Sequence, residues 1–190
     1  MTGDSLQRYR KNLVDSVVFE CLKPAELDVI IASCRLVDAA ASQMLLAEGR
    51  RGEGLYIVLE GEIEVFLPEH VAGGTMRRPS RIRLNRLGPG RCFGEYGAID
   101  DQPSSASVQT VTSTRLCLLT RPNFREIVEK HDRIGKIVYA NLLRFLIRRL
   151  RSKDKELDLI LLTEELGPKR EDAGRSGGPH NAAARRAGGS

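Results

Sequence analysis

The sequence predicts an α+β fold that is mainly β: a small β-barrel or sandwich, with helices before it and one long helix after it. Between residues 35 and 120 the apolar runs are short and are separated by Gly, Pro, Asn and Asp, which is typical of many short strands joined by turns. On both sides of this segment, apolar residues recur at helical spacing. The chain has 190 residues, of which 41% are hydrophobic, so we expect one globular domain with tails.

Residues 1–34 are predicted to form N-terminal helices. The first is a short amphipathic helix over residues 4–13, which carries its apolar side chains on one face. The second is KPAELDVIIASC, in which Pro24 suits a first helical turn because that turn leaves its N–H groups unpaired in any case.

Residues 35–120 are predicted to form the barrel. Alternating polar and apolar residues in EIEVFL and RIRLNRLG have the period of half-buried strands. The Glu60-Gly61 pair predicts a tight hairpin between two strands, and residues 68–80 predict a long exposed loop. The predicted strands are LYIVLEG (55–61), EIEVFL (62–67), RIRLNRLG (81–88), SASVQTV (105–111) and TRLCLL (114–119).

Residues 121–166 are predicted to be helical, as a short hinge helix over 121–131 and a long helix from 132 to about 166. Leu143, Leu150 and Leu157 lie seven residues apart, and neighbouring Leu, Ile and Phe residues widen that stripe. The stripe favours pairing with a second copy of the chain, and packing against the chain's own barrel is the alternative. Residues 167–190 have the composition of a disordered tail.

The most informative segment is GPGRCFGEYGAIDDQPSSASVQT (88–110). It resembles the phosphate-binding cassette of cyclic-nucleotide-binding domains, and the earlier EGRRGEGLYIVLEGEIEVF (48–66) is similar to a second signature of that family. The resemblance covers about residues 10–160. It implies a double-stranded β-helix, jelly-roll-like barrel that acts as a regulatory module, similar to the sensor domain of the catabolite activator protein family.

The resemblance implies a ligand site in this cassette, and the chemistry of the residues is consistent with one. Backbone N–H groups at the start of a short helix suit a phosphate, Gly94 and Gly97 allow close backbone approach, and Glu95 suits a ribose 2′-hydroxyl. Turn geometry is the alternative explanation for the glycines, and helix capping is the alternative for Glu95. The expected ligand-binding residues are Phe93, Gly94, Glu95, Tyr96, Gly97, Ser104, Ser105 and Ala106.

One position departs from the family pattern. The resemblance places an arginine that pairs with the cyclic phosphate at residue 104, where this chain has Ser104. Loss of that charge-assisted contact costs roughly 1.5–3 kcal/mol, or roughly ten- to a hundred-fold in affinity.

Three interpretations of the pocket therefore remain open. It binds cAMP, cGMP or another cyclic mononucleotide weakly, or it is empty and the domain is a dimerisation or protein-interaction scaffold. The third interpretation is another anionic ligand, such as a cyclic dinucleotide, with its charge met by nearby arginines: Arg77, Arg78, Arg83 or Arg91.

The resemblance also indicates a contact to the base from the long helix. Arg148-Arg149-Leu150 is similar to a landmark of the bacterial activators, and it places Lys153 and Asp154 at the base-contacting positions. The alternative is that both residues simply face solvent. Those activators continue into a helix-turn-helix domain with no counterpart in this sequence, so we expect no sequence-specific DNA binding and an output through a protein partner.

Composition argues against other classes of protein. The formal net charge of +5 comes from basic segments at 77–91, 144–155 and 169–186, which are solvated faces or sites for nucleic acid or an acidic partner. The four cysteines are widely spaced, which favours buried free thiols over a metal site, and no catalytic constellation is recognisable. With no apolar run near ~18 residues and no signal peptide, the expected location is the cytoplasm, away from membranes.

Overall fold

The computed structural model describes residues 2–165, and the side chains of residues 5–162. The chain divides into two compact units, Met1–Leu150 and Arg151–Ser190. The predicted disordered tail, residues 167–190, lies outside the described residues. All the strands belong to the first unit, where they form two antiparallel sheets of four strands each.

Three helices precede the sheets. The predicted first helix is two short ones, α1 (Thr2–Gln7) and α2 (Arg10–Val14), and the second predicted helix is α3 (Pro24–Ser33). Pro24 occupies the first turn of α3, as predicted, and the Lys23 N–H donates to the Glu26 carboxylate at 2.7 Å. This contact satisfies a donor that the start of a helix would otherwise leave unpaired.

The two sheets are built from eight described strands: β1 (Arg35–Ala39), β2 (Met44–Leu46), β3 (Gly54–Glu60), β4 (Ile63–Leu67), β5 (Ile82–Leu87), β6 (Cys92–Phe93), β7 (Ser107–Thr110) and β8 (Thr114–Thr120). The first sheet has the strand order β1-β8-β3-β6 and the second has the order β2-β7-β4-β5. The fold class predicted from the sequence is therefore confirmed.

The predicted hairpin at Glu60-Gly61 is wrong in its pairing. Gly61 makes a turn with a φ of +84°, as expected, but β3 and β4 belong to different sheets and do not pair with each other. The turn instead carries the chain from one sheet to the other, and β4 pairs with β5 and β7. The segment 68–80 is a mostly exposed connection closed by a bridge between His70 and Arg77.

Two apolar cores explain the long apolar run in β3. Leu55, Ile57 and Leu59 pack in a core shared with the helices, while Tyr56 and Val58 pack in a core between the sheets. Both faces of β3 are covered, so the strand is apolar throughout instead of alternating.

Residues 121–165 are helical, as predicted, with α5 (Arg121–Lys130) followed by α6 (Asp132–Glu165). The apolar stripe predicted on α6 is covered only in part within the first unit. Leu142 is buried in the helix-side core together with Ile134 and Val138, whereas Leu143 and Leu150 are 59% and 62% exposed. In the second unit, residues 151–162 are all exposed.

Candidate functional site

The cassette predicted from the sequence lies between β6 and β7. Phe93 ends β6 and stacks on Tyr56 with ring centroids 4.8 Å apart, and the short helix α4 (Glu95–Ile99) follows. Gly94 joins the two with a φ of +77°, and a Cβ there would lie 2.5 Å from the Gly54 carbonyl oxygen. Only glycine fits this position without strain, so turn geometry and close packing account for Gly94.

Glu95 is the buried charged group of the cassette. Its side chain is 3% exposed, and its carboxylate accepts a hydrogen bond from the guanidinium of Arg149 on α6. Burial raises the pKa of the Glu95 carboxyl above its ordinary value, and the Arg149 charge opposes part of that rise. A backbone hydrogen bond at Glu95, in the first turn of α4, also lowers the pKa of this carboxyl, so the helix-capping alternative stays a prediction beside ligand binding.

Arg149 is itself positioned by aromatic rings. Its guanidinium carbon lies 5.6 Å from the ring centroid of Tyr96 and 5.8 Å from that of Phe145. Tyr96 is partly exposed beside it, at 39%. The contact therefore joins the first turn of α4 to the first unit's part of α6 through both charge and ring faces.

Ser104 is fixed by its backbone. Its N–H donates to the Arg50 carbonyl at 2.8 Å, and its own carbonyl accepts from the Gly49 N–H at 2.8 Å. These bonds hold the cassette loop against the β2–β3 connection. Ser104 and Ala106 are half-buried and Ser105 is exposed. Neither serine is therefore fully removed from solvent.

Gly97 and Gly52 approach each other at the base of this loop. A Cβ built on Gly97 would lie 4.0 Å from the Gly52 nitrogen and 3.6 Å from the Gln102 carbonyl oxygen, both ordinary contact distances. A Cβ built on Gly52 would lie 3.0 Å from the Leu46 Cδ2 and 3.9 Å from the Ser104 Oγ, so this side of the loop is closely packed. A Cβ at position 97 would be in ordinary van der Waals contact with its neighbours, so packing alone does not require a glycine there.

The arginines considered as substitutes for a charge at position 104 differ in their surroundings. Arg78 is only 19% exposed and makes a two-pronged ion pair with Glu48, at 3.0 and 2.7 Å. Arg83 lies 4.0 Å from Glu64, and Arg77 and Arg91 are exposed. The Arg78 charge is thus already balanced by a neighbouring carboxylate.

Other arginines in the basic segment 77–91 also have acidic partners. Arg81 pairs with Glu64 at 2.5 Å, and Arg86 pairs with Glu62 at 3.1 Å. These contacts favour a solvated, internally paired face for this segment.

The candidate base-contacting residues lie in the second unit. Lys153 and Asp154 are both exposed, and Lys153 pairs with Glu156 one turn further along α6. This is the solvent-facing arrangement, so the base contact stays a prediction.

Sequence reasoning missed Arg149 and Arg121 as contributors to the cassette. The signal for Arg149 was present, since Arg148-Arg149-Leu150 served as a landmark and a buried Glu95 requires a cation. Arg121 gave no signal, because it directly follows β8 and is far from residues 93–106 in the sequence. The prediction of four buried cysteines is wrong for Cys21, which is exposed, and right for Cys34, Cys92 and Cys117.

The described residues contain neither a candidate membrane-spanning helix nor a candidate metal site. None of the described helices has the length and apolar character needed to cross a bilayer. Within that same part of the chain, no group of three His, Cys, Asp or Glu side chains is placed to hold a metal ion.

Known proteins are similar to this chain over most of the barrel. A family model described as the cyclic nucleotide-binding domain matches residues 36–131. The chain is 32% identical over 149 residues to the cyclic AMP receptor protein of Thermus thermophilus, which covers 78% of this chain and 64% of that protein.

Solved structures are similar to this chain in fold and in sequence. The crystal structure of Thermus thermophilus catabolite activator protein matches with a TM-score of 0.65 and 31% identity, over 76% of this chain and 63% of that one. The regulatory domain of Toxoplasma gondii PKA, crystallised with cAMP, matches with a TM-score of 0.57 and 28% identity, over 70% of this chain and 47% of that one. The chain thus spans less than two thirds of the length of these relatives.

Proposed function

This chain belongs to the cyclic-nucleotide-binding domain family, and we propose that it is a regulatory module, not an enzyme, that binds a cyclic mononucleotide weakly and responds through α6. The observation that carries the proposal is the buried Glu95 at the start of α4, held by Arg149 of α6. A ligand that engages Glu95 would change the partner of a residue on the long helix. Recognition and output therefore meet in one ion pair.

The proposed ligand contacts follow from the cassette. The Glu95 carboxylate accepts from the ribose 2′-hydroxyl, and Gly97 presents no side chain that would obstruct the cyclic phosphate. Hydroxyl groups of Ser104 and Ser105 and backbone N–H groups of the cassette donate to the phosphate oxygens. The relatives whose names include cyclic AMP support cAMP as the first ligand to test, with cGMP as the second.

Weak binding follows from the charges. Ser104 donates a neutral hydrogen bond where the family pattern has an arginine, and Arg78 is already paired with Glu48. Without the charge-assisted contact, affinity falls by roughly ten- to a hundred-fold relative to a cassette that has the arginine.

The output that we propose is a second copy or a protein partner on α6. Leu143 and Leu150 are exposed in the first unit, and apolar residues repeated at heptad spacing along one helix form a stripe that a second helix can cover. A homodimer through this helix gives the apolar residues a symmetric partner. Sedimentation velocity at micromolar concentration is expected to show a dimer, and a monomer under all conditions would contradict it.

We further propose that the protein acts in the cytoplasm. The four cysteines are free thiols, which reducing compartments maintain. Localisation of a fluorescently tagged chain tests this proposal, and accumulation outside the cytoplasm would contradict it.

A second candidate function is a ligand-free interaction scaffold, favoured by Ser104 in the arginine position. Calorimetric titration of the wild-type chain with cAMP, cGMP and a cyclic dinucleotide separates the two functions. We expect heat and thermal stabilisation with a mononucleotide, and their loss in Glu95→Gln, which keeps the side-chain shape but removes the charge.

The control for this titration is Glu53→Gln, because Glu53 is an exposed carboxylate on the neighbouring loop. No heat and no thermal shift at millimolar ligand would refute the sensor and leave the scaffold. Binding of the dinucleotide alone would refute the proposed ligand class.

A further inference from the structure

Arg121 is the first residue of α5 and lies against the cassette. Its backbone N–H donates to the Glu53 carbonyl at 2.9 Å, and its side chain is only 18% exposed. A largely buried arginine at the start of a helix needs partners for its charge and its donors. The partners of its guanidinium lie in two segments that we call the cassette loops: the β2–β3 connection, and residues 97–106, which begin inside α4.

The guanidinium uses its three nitrogens on three different groups. Its Nε donates to the Gly97 carbonyl at 2.7 Å, and its Nη2 donates to the Gly52 carbonyl at 3.1 Å. Its Nη1 pairs with the Asp101 carboxylate. One planar fork therefore joins α4, the β2–β3 connection and the loop that leads to Ser104.

The residues that Arg121 contacts do not stabilise their own backbone conformations. Asp101 has a φ of +60°, a left-handed conformation that is uncommon for a residue with a side chain. Gly52 and Gly97 carry no side chains with which to anchor their loops. External contacts are therefore required to keep the two loops in register with each other.

We infer that Arg121 is a positioning residue, which keeps the two cassette loops in a binding-competent arrangement and ties that arrangement to the start of α5. This inference deepens the proposed function, because it names a residue outside the pocket that sets the pocket's affinity. Through Arg121, the position of α5 would depend on the conformation of the cassette, as the position of α6 would through Arg149. Arg121 acts through Gly52, Gly97 and Asp101 and has no role in contacting the ligand.

The first test does not depend on any ligand. Hydrogen exchange is measured on the unliganded full chain for the wild type, Arg121→Met, Arg121→Lys and the matched control Arg125→Met. Arg125 is exposed on the same helix. We expect exchange in residues 50–53 and 97–106 to rise by about tenfold or more in Arg121→Met, and to stay within about twofold in Arg125→Met.

The variants are expected to fold, so the comparison stays interpretable. Phe124 and Ile127 bury α5 in the helix-side core, and the Asn123 Nδ2 donates to the Ser33 carbonyl at 2.6 Å. Exchange in residues 123–130 should therefore remain at the wild-type level. Arg121→Lys should restore only part of the protection, since one ammonium cannot reproduce the three-way fork.

A second readout measures affinity for cAMP. Arg121→Met should weaken binding by about tenfold or more, because the loops must then be ordered by the ligand itself. Unchanged exchange in both loops, or a uniform rise across the whole barrel, would overturn the inference. If the wild type binds no cAMP, the proposed function fails, and the exchange contrast alone decides the role of Arg121.

Discussion

Replacing Arg149 with methionine tests the central ion pair of the cassette. The Glu95 side chain is 3% exposed and that of Arg149 is 45% exposed, so the substitution leaves a buried carboxylate without its cation. Breaking a fully buried pair costs about 3–5 kcal/mol. Because water reaches nearly half of Arg149, we expect a smaller loss in the free energy of unfolding, about 1–3 kcal/mol at neutral pH.

The pH dependence of this loss has a definite sign. Burial raises the pKa of the Glu95 carboxyl above its ordinary value of 4.5, and loss of the opposing Arg149 charge raises that pKa further. The folded state then binds the proton more tightly than the unfolded state, so stability falls as pH rises from 4.5 through the raised pKa. The penalty of Arg149→Met is therefore full above that window and small at about pH 4, where both states are protonated.

Urea unfolding of the wild type and Arg149→Met at about pH 4 and about pH 8 measures this difference. Arg148→Met is the matched control, because Arg148 is an exposed neighbour on the same helix. In a Glu95→Gln background the effect of Arg149→Met should lose most of its pH dependence. Equal losses at both pH values, or an equal loss in Arg148→Met, would refute the argument.

Three further variants test other parts of the account. Ser104→Arg should tighten cAMP binding roughly ten- to a hundred-fold by calorimetry while exposed Ser105→Arg does not, and equal effects would contradict the assignment of position 104. Leu143→Glu should abolish the proposed dimer in sedimentation, since a charge cannot enter an apolar seam; a persistent dimer would place the interface elsewhere. Gly94→Ala should lower the free energy of unfolding by about 1–3 kcal/mol, because its Cβ would lie 2.5 Å from the Gly54 carbonyl oxygen, and an unchanged melting curve would contradict this packing.

Local patterns predicted most of the elements, because these depend on neighbouring residues, but the half-buried strand predicted from the alternation in RIRLNRLG is wrong in its burial, since β5 is exposed from Ile82 to Arg86. The helical spacing before residue 35 and after residue 120 identified the helices, and Pro24 marked the start of α3. The hairpin at Glu60-Gly61 failed because the assignment of β3 and β4 to different sheets is a long-range property. A turn residue specifies a change of direction and not the strand that will be paired next.

The candidate site was predictable as a segment but not as a set of contacts. The Phe-Gly-Glu segment located the short helix α4, because glycine and the helix start are local features. The ion-pair partner of Glu95 is Arg149, which lies 54 residues away in the sequence. No spacing rule connects the two residues. The apolar stripe on α6 likewise divides between Leu142 and Leu143, because only the packed core shows which face is already covered.

The most direct test of the account is an NMR titration of the wild-type chain with cAMP, in which the chemical shifts of the backbone amides are measured. The account predicts fast-exchange shifts centred on residues 93–106, with a change at the Arg149 side-chain Nε as Glu95 gains a new partner. An absence of shifts at millimolar cAMP, or shifts confined to the basic strand β5, would contradict cyclic-nucleotide binding in this cassette.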